Sequence, residues 1–448
     1  MFSVQAINKK SMILSPFFSA SANHSAPLSA VLFFVALCGN TLAFAADTVS
    51  PDVAQSPAQQ RIVELSASGN YQAAGTQGLE VLEREKTDTG LRLIVANSLA
   101  WSGRFKQAAL QYKLLSNSKQ RKEARVGLAN VYRWKGRDDQ ALPLYQTVLA
   151  EDPQNAAALE GLGYAMRELN PRTLITVGAG QDSGDAKRRE ATISQRWRDD
   201  TGRHVFEIGT AGLRDQLPTT AVQQRDISVS YQNLNLPLEP RLELNAQAKP
   251  ASDVFGNLKL KIDDGRFLLE VGRTNWGKSA FNARAVEDGL TAAHIGFDAN
   301  LNFEVGQLSE HVDVFRISDN NVILTTRSNF IPSWRPFGHR IKPFAGIETR
   351  DVRFYSNRYW SPTDGFGTAY VGLSADWGSE NWSLFGSGQV GTRLYGEAGS
   401  NWSLGVGGKR WLGKNLAIGV NLWSMASRRD NARYRAKSFS MNLEKLWD

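Results

Sequence analysis

Gly272, Gly277, Lys278 and Ser279 spell the loop in which backbone amides cradle nucleotide phosphates and a lysine neutralises them. That chemistry needs a strand, the loop and a helix in succession, and the flanking residues here alternate with period two instead. Gly386, Gly388 and Gly391 fit the dinucleotide spelling, but inside a run that itself reads as a strand, with its glycines facing a crowded wall. His24, His204, His294, His311 and His339 are scattered, without the spacing of zinc ligands. A serine hydrolase would need His204, His294, His311 or His339 beside a distant serine, and no nucleophile-elbow sequence is present. No catalytic residue, cofactor or metal site is expected.

The elements that position any chemistry begin after an atypical start. Lys9 and Lys10 are the only charges in the first 46 residues, an apolar run fills 30–38, and Ala43 and Ala45 make a small-x-small site. Together these predict a secretory signal peptide over 1–45. Its apolar run is too short to span a bilayer, which takes roughly 20 residues. Cys38, the only cysteine, leaves with that leader, so the mature chain is expected to hold no disulfide and no Cys-ligated metal. Removing the leader takes the formal charge from +8 to +6. Bases and acids are interspersed, which argues against nucleic acid as a partner. Mean hydropathy is negative, and no apolar run is long enough for a membrane helix. A transmembrane β-barrel stays open, because its strands place apolar residues only at every second position.

After a linker over 46–60, residues 61–170 repeat themselves. Gly69, Gly103 and Gly136 recur at steps of 34 and 33, as do Ala74, Ala108 and Ala141, and Gly78, Tyr112 and Tyr145. The clearest unit runs Ala129, Tyr132, Gly136, Ala141, Tyr145, Pro153. Gly136 would end one helix in a left-handed turn, Ala141 would let two helices cross, and Pro153 would stop the second. Gly161, Leu162, Gly163 and Met166 suggest a half-unit closing the stack. This pattern resembles the tetratricopeptide (TPR) repeat, which implies a scaffold that binds partner proteins. The bases Lys119, Arg121, Lys122, Arg125, Arg133, Lys135 and Arg137 crowd this region; a solvated helix face is the plain reading, an acidic partner the other.

From 171 to 448 the period is two, as in Leu242, Leu244, Ala246 against Glu243, Asn245, Gln247. Alternation alone suits a soluble sandwich equally well. The links discriminate: short ones (263–265, 378–380, 412–414) alternate with longer ones (214–223, 274–290, 309–320, 355–365), the habit of outer-membrane barrels. The scheme gives about 16 antiparallel strands, or about 14 because 331–340 is long where a short link is wanted. Trp377, Trp382, Trp402, Trp411 and Trp423 sit near strand ends, where interfacial girdles belong. The expected fold is therefore helical repeats followed by a membrane β-barrel. The residues expected to line the lumen are Arg196, Glu243, Asn245, Lys259, Lys261, Glu270, His294, Asp298, Glu304 and Glu348.

Repeats leading directly into a C-terminal barrel resemble the exopolysaccharide export porins, of the cellulose-synthase-operon and poly-N-acetylglucosamine types. Tyr359, Trp360, Ser361 and Pro362 resemble an aromatic-aromatic-Ser-Pro segment of the cellulose type. The final alternating segment, Phe439 to Trp447, resembles the C-terminal signal of outer-membrane barrels, with Asp448 added. Small outer-membrane barrels of the YaiO type are a second likeness. The resemblance implies a non-enzymatic conduit for a secreted polysaccharide, seated in outer-membrane lipid. It also implies periplasmic repeats that dock periplasmic or inner-membrane synthase components. The chain carries fewer repeats than those porins. A surface receptor or adhesin without transport is the rival reading, and an outer-membrane hydrolase the third.

Overall fold

The computed structural model describes residues 56–447 apart from 219, 250–251, 264, 278–282, 339, 380 and 430–431. The expected signal peptide lies outside the described residues. Ser56 caps the first helix, which starts at Pro57 inside the stretch read as linker; its hydroxyl accepts from the Gln59 amide while the Gln59 side chain accepts from Ser56. Seven helices follow one another: α1 (Pro57–Ala67), α2 (Tyr71–Arg84), α3 (Thr89–Trp101), α4 (Phe105–Leu114), α5 (Arg121–Trp134), α6 (Asp138–Glu151) and α7 (Ala156–Leu169). They form three hairpins and a half. Each hairpin turns on a glycine with φ near +80°, Gly69, Gly103 and Gly136, a backbone that L-residues adopt at a cost.

One packing rule repeats along the stack. Tyr112 donates its hydroxyl to Asn97 Oδ1 at 2.6 Å and presses its ring on Gly127; Tyr145 does the same to Asn130 and Gly161. A side chain at either glycine would run into the ring. In the first hairpin the sizes are exchanged, with Gly78 on α2 and Val95 on α3. The large-into-small contact survives although the residue types trade places. Ala74, Ala108, Ala129 and Ala141 are fully buried where helices cross, while Pro153 lies in the link after α6 and Met166 is exposed.

The remainder is a closed antiparallel barrel of sixteen strands, so the count of about 14 falls away. They are β1 (Arg172–Asp182), β2 (Lys187–Arg198), β3 (His204–Gln216), β4 (Ala221–Asn233), β5 (Arg241–Lys249), β6 (Asp253–Ile262), β7 (Phe267–Asn275), β8 (Thr291–Phe303), β9 (Gly306–Ile317), β10 (Val322–Pro332), β11 (Ile341–Val352), β12 (Phe366–Ser379), β13 (Trp382–Gly396), β14 (Ala398–Trp411), β15 (Leu416–Arg429) and β16 (Ala432–Leu446). Pairing of β1 with β16 closes the ring, Arg172 opposite Leu446. Closure leaves no strand edge unsatisfied in lipid. Ile193, Ile208, Val229, Leu244, Val371, Leu404 and Phe439 are exposed on the outer face, the apolar band of a membrane barrel.

Two loops expected to be long are short. Strands β3 and β4 run through 214–223 to a turn at 217–220, and β9 and β10 through 309–320 to a turn at 318–321. The stretches 274–290 and 355–365 are long loops, and the first carries a short helix, α8 (Ala283–Glu287). The link 333–340 is long on the helical side of the barrel. Gly386 and Gly388 have open surroundings, contrary to the crowded wall expected; Gly391 alone of the three is tightly packed, against Asn401. Trp423 points inward, opposite Gly405 and Ser438, so it is no girdle residue.

Candidate functional site: the barrel interior and its two mouths

Because the register is fixed all round, one face of each strand can be followed through the lumen. Arg196, Glu243, Asn245, Lys259, Lys261, Glu270, His294, Asp298 and Glu348 fall on the inner face. Glu304 does not: β8 ends at Phe303, and Glu304 is exposed in the link to β9. Five of the inner residues join a continuous ladder with neighbours the sequence did not single out. Arg241 lies 3.4 Å from Glu207 and 2.6 Å from Glu243, and Lys259 bridges Glu243 and Glu270 at 3.3 and 3.4 Å. His294 continues it from Glu270 at 4.0 Å to Asp313 at 2.6 Å, and His311 connects Asp313 to Asp298 at 2.7 and 2.8 Å. Two histidines on neighbouring strands, His294 on β8 and His311 on β9, thus share one carboxylate. Among the described residues no histidine hydrogen-bonds a serine and no group of side chains has the makings of a metal site. Lys261 pairs with Glu239, Arg327 with Glu348, and Arg196 approaches Glu168.

The opposite wall is different. From β12 through β16 to β1 the inner face carries mostly small and neutral polar groups such as Ser387, Gln389, Ser403, Asn421, Ser440 and Asn442. Aromatic rings lie flat along it because their neighbours are glycines: Phe344 over Gly372, Tyr370 over Gly346, Phe385 over Gly407. A Cβ at any of these glycines would collide with the ring. Sequence reasoning missed these rings, although the glycine directly across the strand pair is a readable signal. One half of the lumen is a charge ladder, the other a smooth wall of hydroxyls, amides and rings.

The mouth away from the helices is narrowed by folded loops. Trp276, Leu290, Ile317, Ile323 and Tyr359 bury one another between the links after β7, β9 and β11. Tyr359 donates to Asp319 at 2.9 Å and accepts from Asn321; Arg350 donates to the Trp360 carbonyl and lies over its ring. Ser361 donates to the Ser356 carbonyl and its oxygen accepts from the Ser356 amide. The segment 359–362 is therefore a loop core rather than an exposed binding tip. Gly272 sits in β7 and Trp276 just beyond it, while Lys278 and Ser279 lie outside the described residues.

At the other mouth the helices stand on the barrel by their hairpin turns. Arg335, in the link after β10, faces Tyr71 at the start of α2. Asn302 donates to the Ser102 carbonyl, and Lys106 pairs with Asp263 at 2.8 Å. Asp139 holds Arg203 at 3.2 Å; Arg167 reaches Asn381 and the Trp411 ring; Glu168 pairs with Arg172. Taken in chain order, these contacts travel round the rim from β10 through β6 and β2 to β12. The helices form a crown that continues the barrel wall. Most of the crowded bases are spent internally: Arg121 and Arg125 on Glu151, Arg137 on Asp139, Arg133 on the Tyr164 ring.

Asp138 is the exposed flank's opposite, a buried carboxylate at that junction with Oδ1 unpartnered among the described residues. Burial, then the nearby Glu168 carboxylate, push its pKa up to about 7. The folded state holds this proton more tightly than the unfolded chain, whose carboxyl titrates near 3.8. Its contribution to stability is therefore full below about 4 and is lost as pH rises through about 7. Asp138→Asn should remove that fall, raising the helical melting temperature at pH 8 and hardly changing it at pH 4. An equal shift at both pH values would contradict the assignment.

No family model matches the sequence, and no curated protein matches it. Solved structures do. One described as a bacterial polysaccharide outer membrane secretin superposes with a TM-score of 0.52 at 12% identity, over 62% of this chain and 99% of that one. The likeness is one of fold. The covered share is about that of β1 to β16, so the shared fold is that of the barrel. OprD and OccK11 (OpdR) of Pseudomonas aeruginosa also match, each at a TM-score of 0.36, at 9% and 8% identity, over 62% of this chain and 93% and 96% of theirs.

Proposed function

We propose that the chain is an outer-membrane conduit for a secreted polysaccharide, neutral or weakly charged. Its helical crown would be a TPR-type scaffold in the periplasm, over about 61–170, that receives the polymer from synthase components. The observation that carries this reading is the inner wall of β12–β16 and β1. Hydroxyl and amide side chains there can exchange hydrogen bonds with sugar hydroxyls and water as a chain slides. Rings held flat by glycine offer apolar faces to the C–H faces of pyranose units. The ladder opposite is internally neutralised, so it neither repels nor traps a neutral polymer. The likeness to a polysaccharide secretin fold supports the same reading.

Lys259 and Lys261 would be poor probes, since Lys259 neutralises Glu243 and Glu270 and Lys261 neutralises Glu239, so removing them unbalances the ladder as well as changing the wall. Ser387→Trp with Ser440→Trp adds bulk to the smooth wall and touches no ion pair. Surface polymer should fall several-fold while the barrel still assembles. The adhesin reading predicts the reverse: loss of surface binding with Tyr355→Ala, on the exposed part of the loop after β11, and no effect of the lumen pair. Unchanged surface polymer in the lumen variant, with the protein correctly assembled, contradicts the conduit.

A further inference from the structure

The outer face of the barrel carries a basic surface at the end away from the helices. On β2, β3 and β4 the outward positions above the apolar band are Lys187, Arg189, Arg214 and Arg225, all exposed. On β16 they are Arg433, Arg435 and Lys437. The register makes this one patch. Arg189 lies directly opposite Arg214, and Gln181 of β1 faces both Lys187 and Lys437. Like charges directly across a strand pair destabilise a sheet. Among the described residues, the outward positions of β15, β16 and β1–β4 include no acid. The acids of these strands at this end of the barrel, Asp182, Glu190, Asp215 and Asp226, point into the lumen, where Asp215 holds Arg188. Elsewhere on the rim Arg273 is matched by Asp253 at 2.9 Å.

Directly below the bases the same face is apolar, with Val177, Ile193, Ile208, Ile227, Leu422 and Phe439 exposed. At its far end, next to the helices, come Trp197, Phe206 and Tyr231, packed ring against ring as an interfacial girdle. An outward surface with aromatics at one boundary, an apolar band, and cations at the other fits one kind of molecule: a lipid with several acyl chains and an anionic, phosphorylated headgroup.

We propose that this face binds a phosphorylated glycolipid of the outer leaflet, its phosphates held by Arg189, Arg214 and the neighbouring bases and its acyl chains lying on the apolar band. The inference rests on the outer-membrane reading and on the helices facing the periplasm. It would also fix the barrel's height in the membrane, because bases beside an anionic headgroup layer are attracted to it.

The test uses the full-length protein purified in detergent and titrated with diphosphorylated lipid A, the same glycolipid without phosphates, and inorganic phosphate, read by native mass spectrometry. Lipid A should bind at least about tenfold more tightly than the phosphate-free lipid. Arg189→Glu with Arg214→Glu should abolish that preference. If the reversal hinders assembly, Arg189→Gln with Arg214→Gln should reduce it in a folded barrel. Equal affinity for both lipids, or a preference untouched by either variant, overturns the proposal. So does saturation by inorganic phosphate alone, which would mark a free-anion site. Density fractionation of cells separates the two levels: a chain absent from the outer membrane fails the parent reading, while one present there but indifferent to lipid phosphates fails this inference only.

Discussion

Glu168→Lys should release the helical crown from the barrel, exposing the 169–171 junction to protease while the barrel itself stays folded. Glu168 lies where α7 meets the wall, 2.9 Å from Arg172 and 3.9 Å from Arg196. Burial alone would raise its pKa, but Arg172 and Arg196 outweigh that and hold it at about 2. The ion pairs therefore persist down to strongly acidic pH and weaken only as pH falls through about 2. Lysine at 168 would place a fourth cation beside Arg172, Arg196 and Arg198. The attraction that docks α7 would become repulsion, against which Glu444, 3.2 Å from Arg172, would be the nearest remaining ion-pair partner of that arginine. Glu168→Gln should have the milder effect of a lost pair. Cleavage at the junction, followed over time against the heat-resistant migration of the folded barrel, measures the release. Unchanged protection in the lysine variant would show that the hairpin turns at Lys106 and Asp139 hold the crown without α7.

Much of this architecture was legible from the residues, and the failures share a cause. Period two gives the strands wherever one face is apolar, as in β5 or β16. It vanishes where both faces are polar. The end of β3 carries Arg214 and Gln216 outside and Asp215 inside; in β9 the polar run Ser309, Glu310, His311 occupies both faces before Val312 and Val314 restore the outer apolar face, so both stretches read as loops. In each case a cross-strand partner supplies the reason: Arg188 for Asp215, His294 for Asp313. Glu304 failed in the opposite way, because the alternation of β8 runs on into the turn. The repeats were readable from Gly69, Gly103 and Gly136, whose positive φ only glycine takes easily. The exchange of Gly78 and Val95 for a tyrosine and a glycine was not, since it is visible only as a contact. Nor could spacing reveal that every hairpin turn lands on the barrel rim, because that is a relation between residues some two hundred positions apart, such as Ser102 and Asn302. Trp423 illustrates the limit for the lumen. Its type suggested a girdle, and its register placed it inside.

The second large effect concerns what passes through the lumen. Ion pairing makes one half of the wall self-satisfied, and glycine-backed rings with neutral polar groups make the other half smooth. A barrel shaped for small charged solutes would leave inner charges unmatched to select among them; here Arg241, Lys259, Arg327 and His311 each have a carboxylate partner. Such a lumen suits a hydrated chain that moves by exchanging one set of weak hydrogen bonds for the next. If the conduit is the polymer's way out, its loss should leave synthesis intact and block only the final step. The direct measurement is the location of extracellular polysaccharide in a strain lacking this gene, with polymer assayed separately on the cell surface and within the periplasm. The account predicts polymer made in normal amount, trapped in the periplasm, and restored to the surface by the intact gene but not by the variant carrying Ser387→Trp and Ser440→Trp. Normal surface polymer in the deletion strain would contradict it.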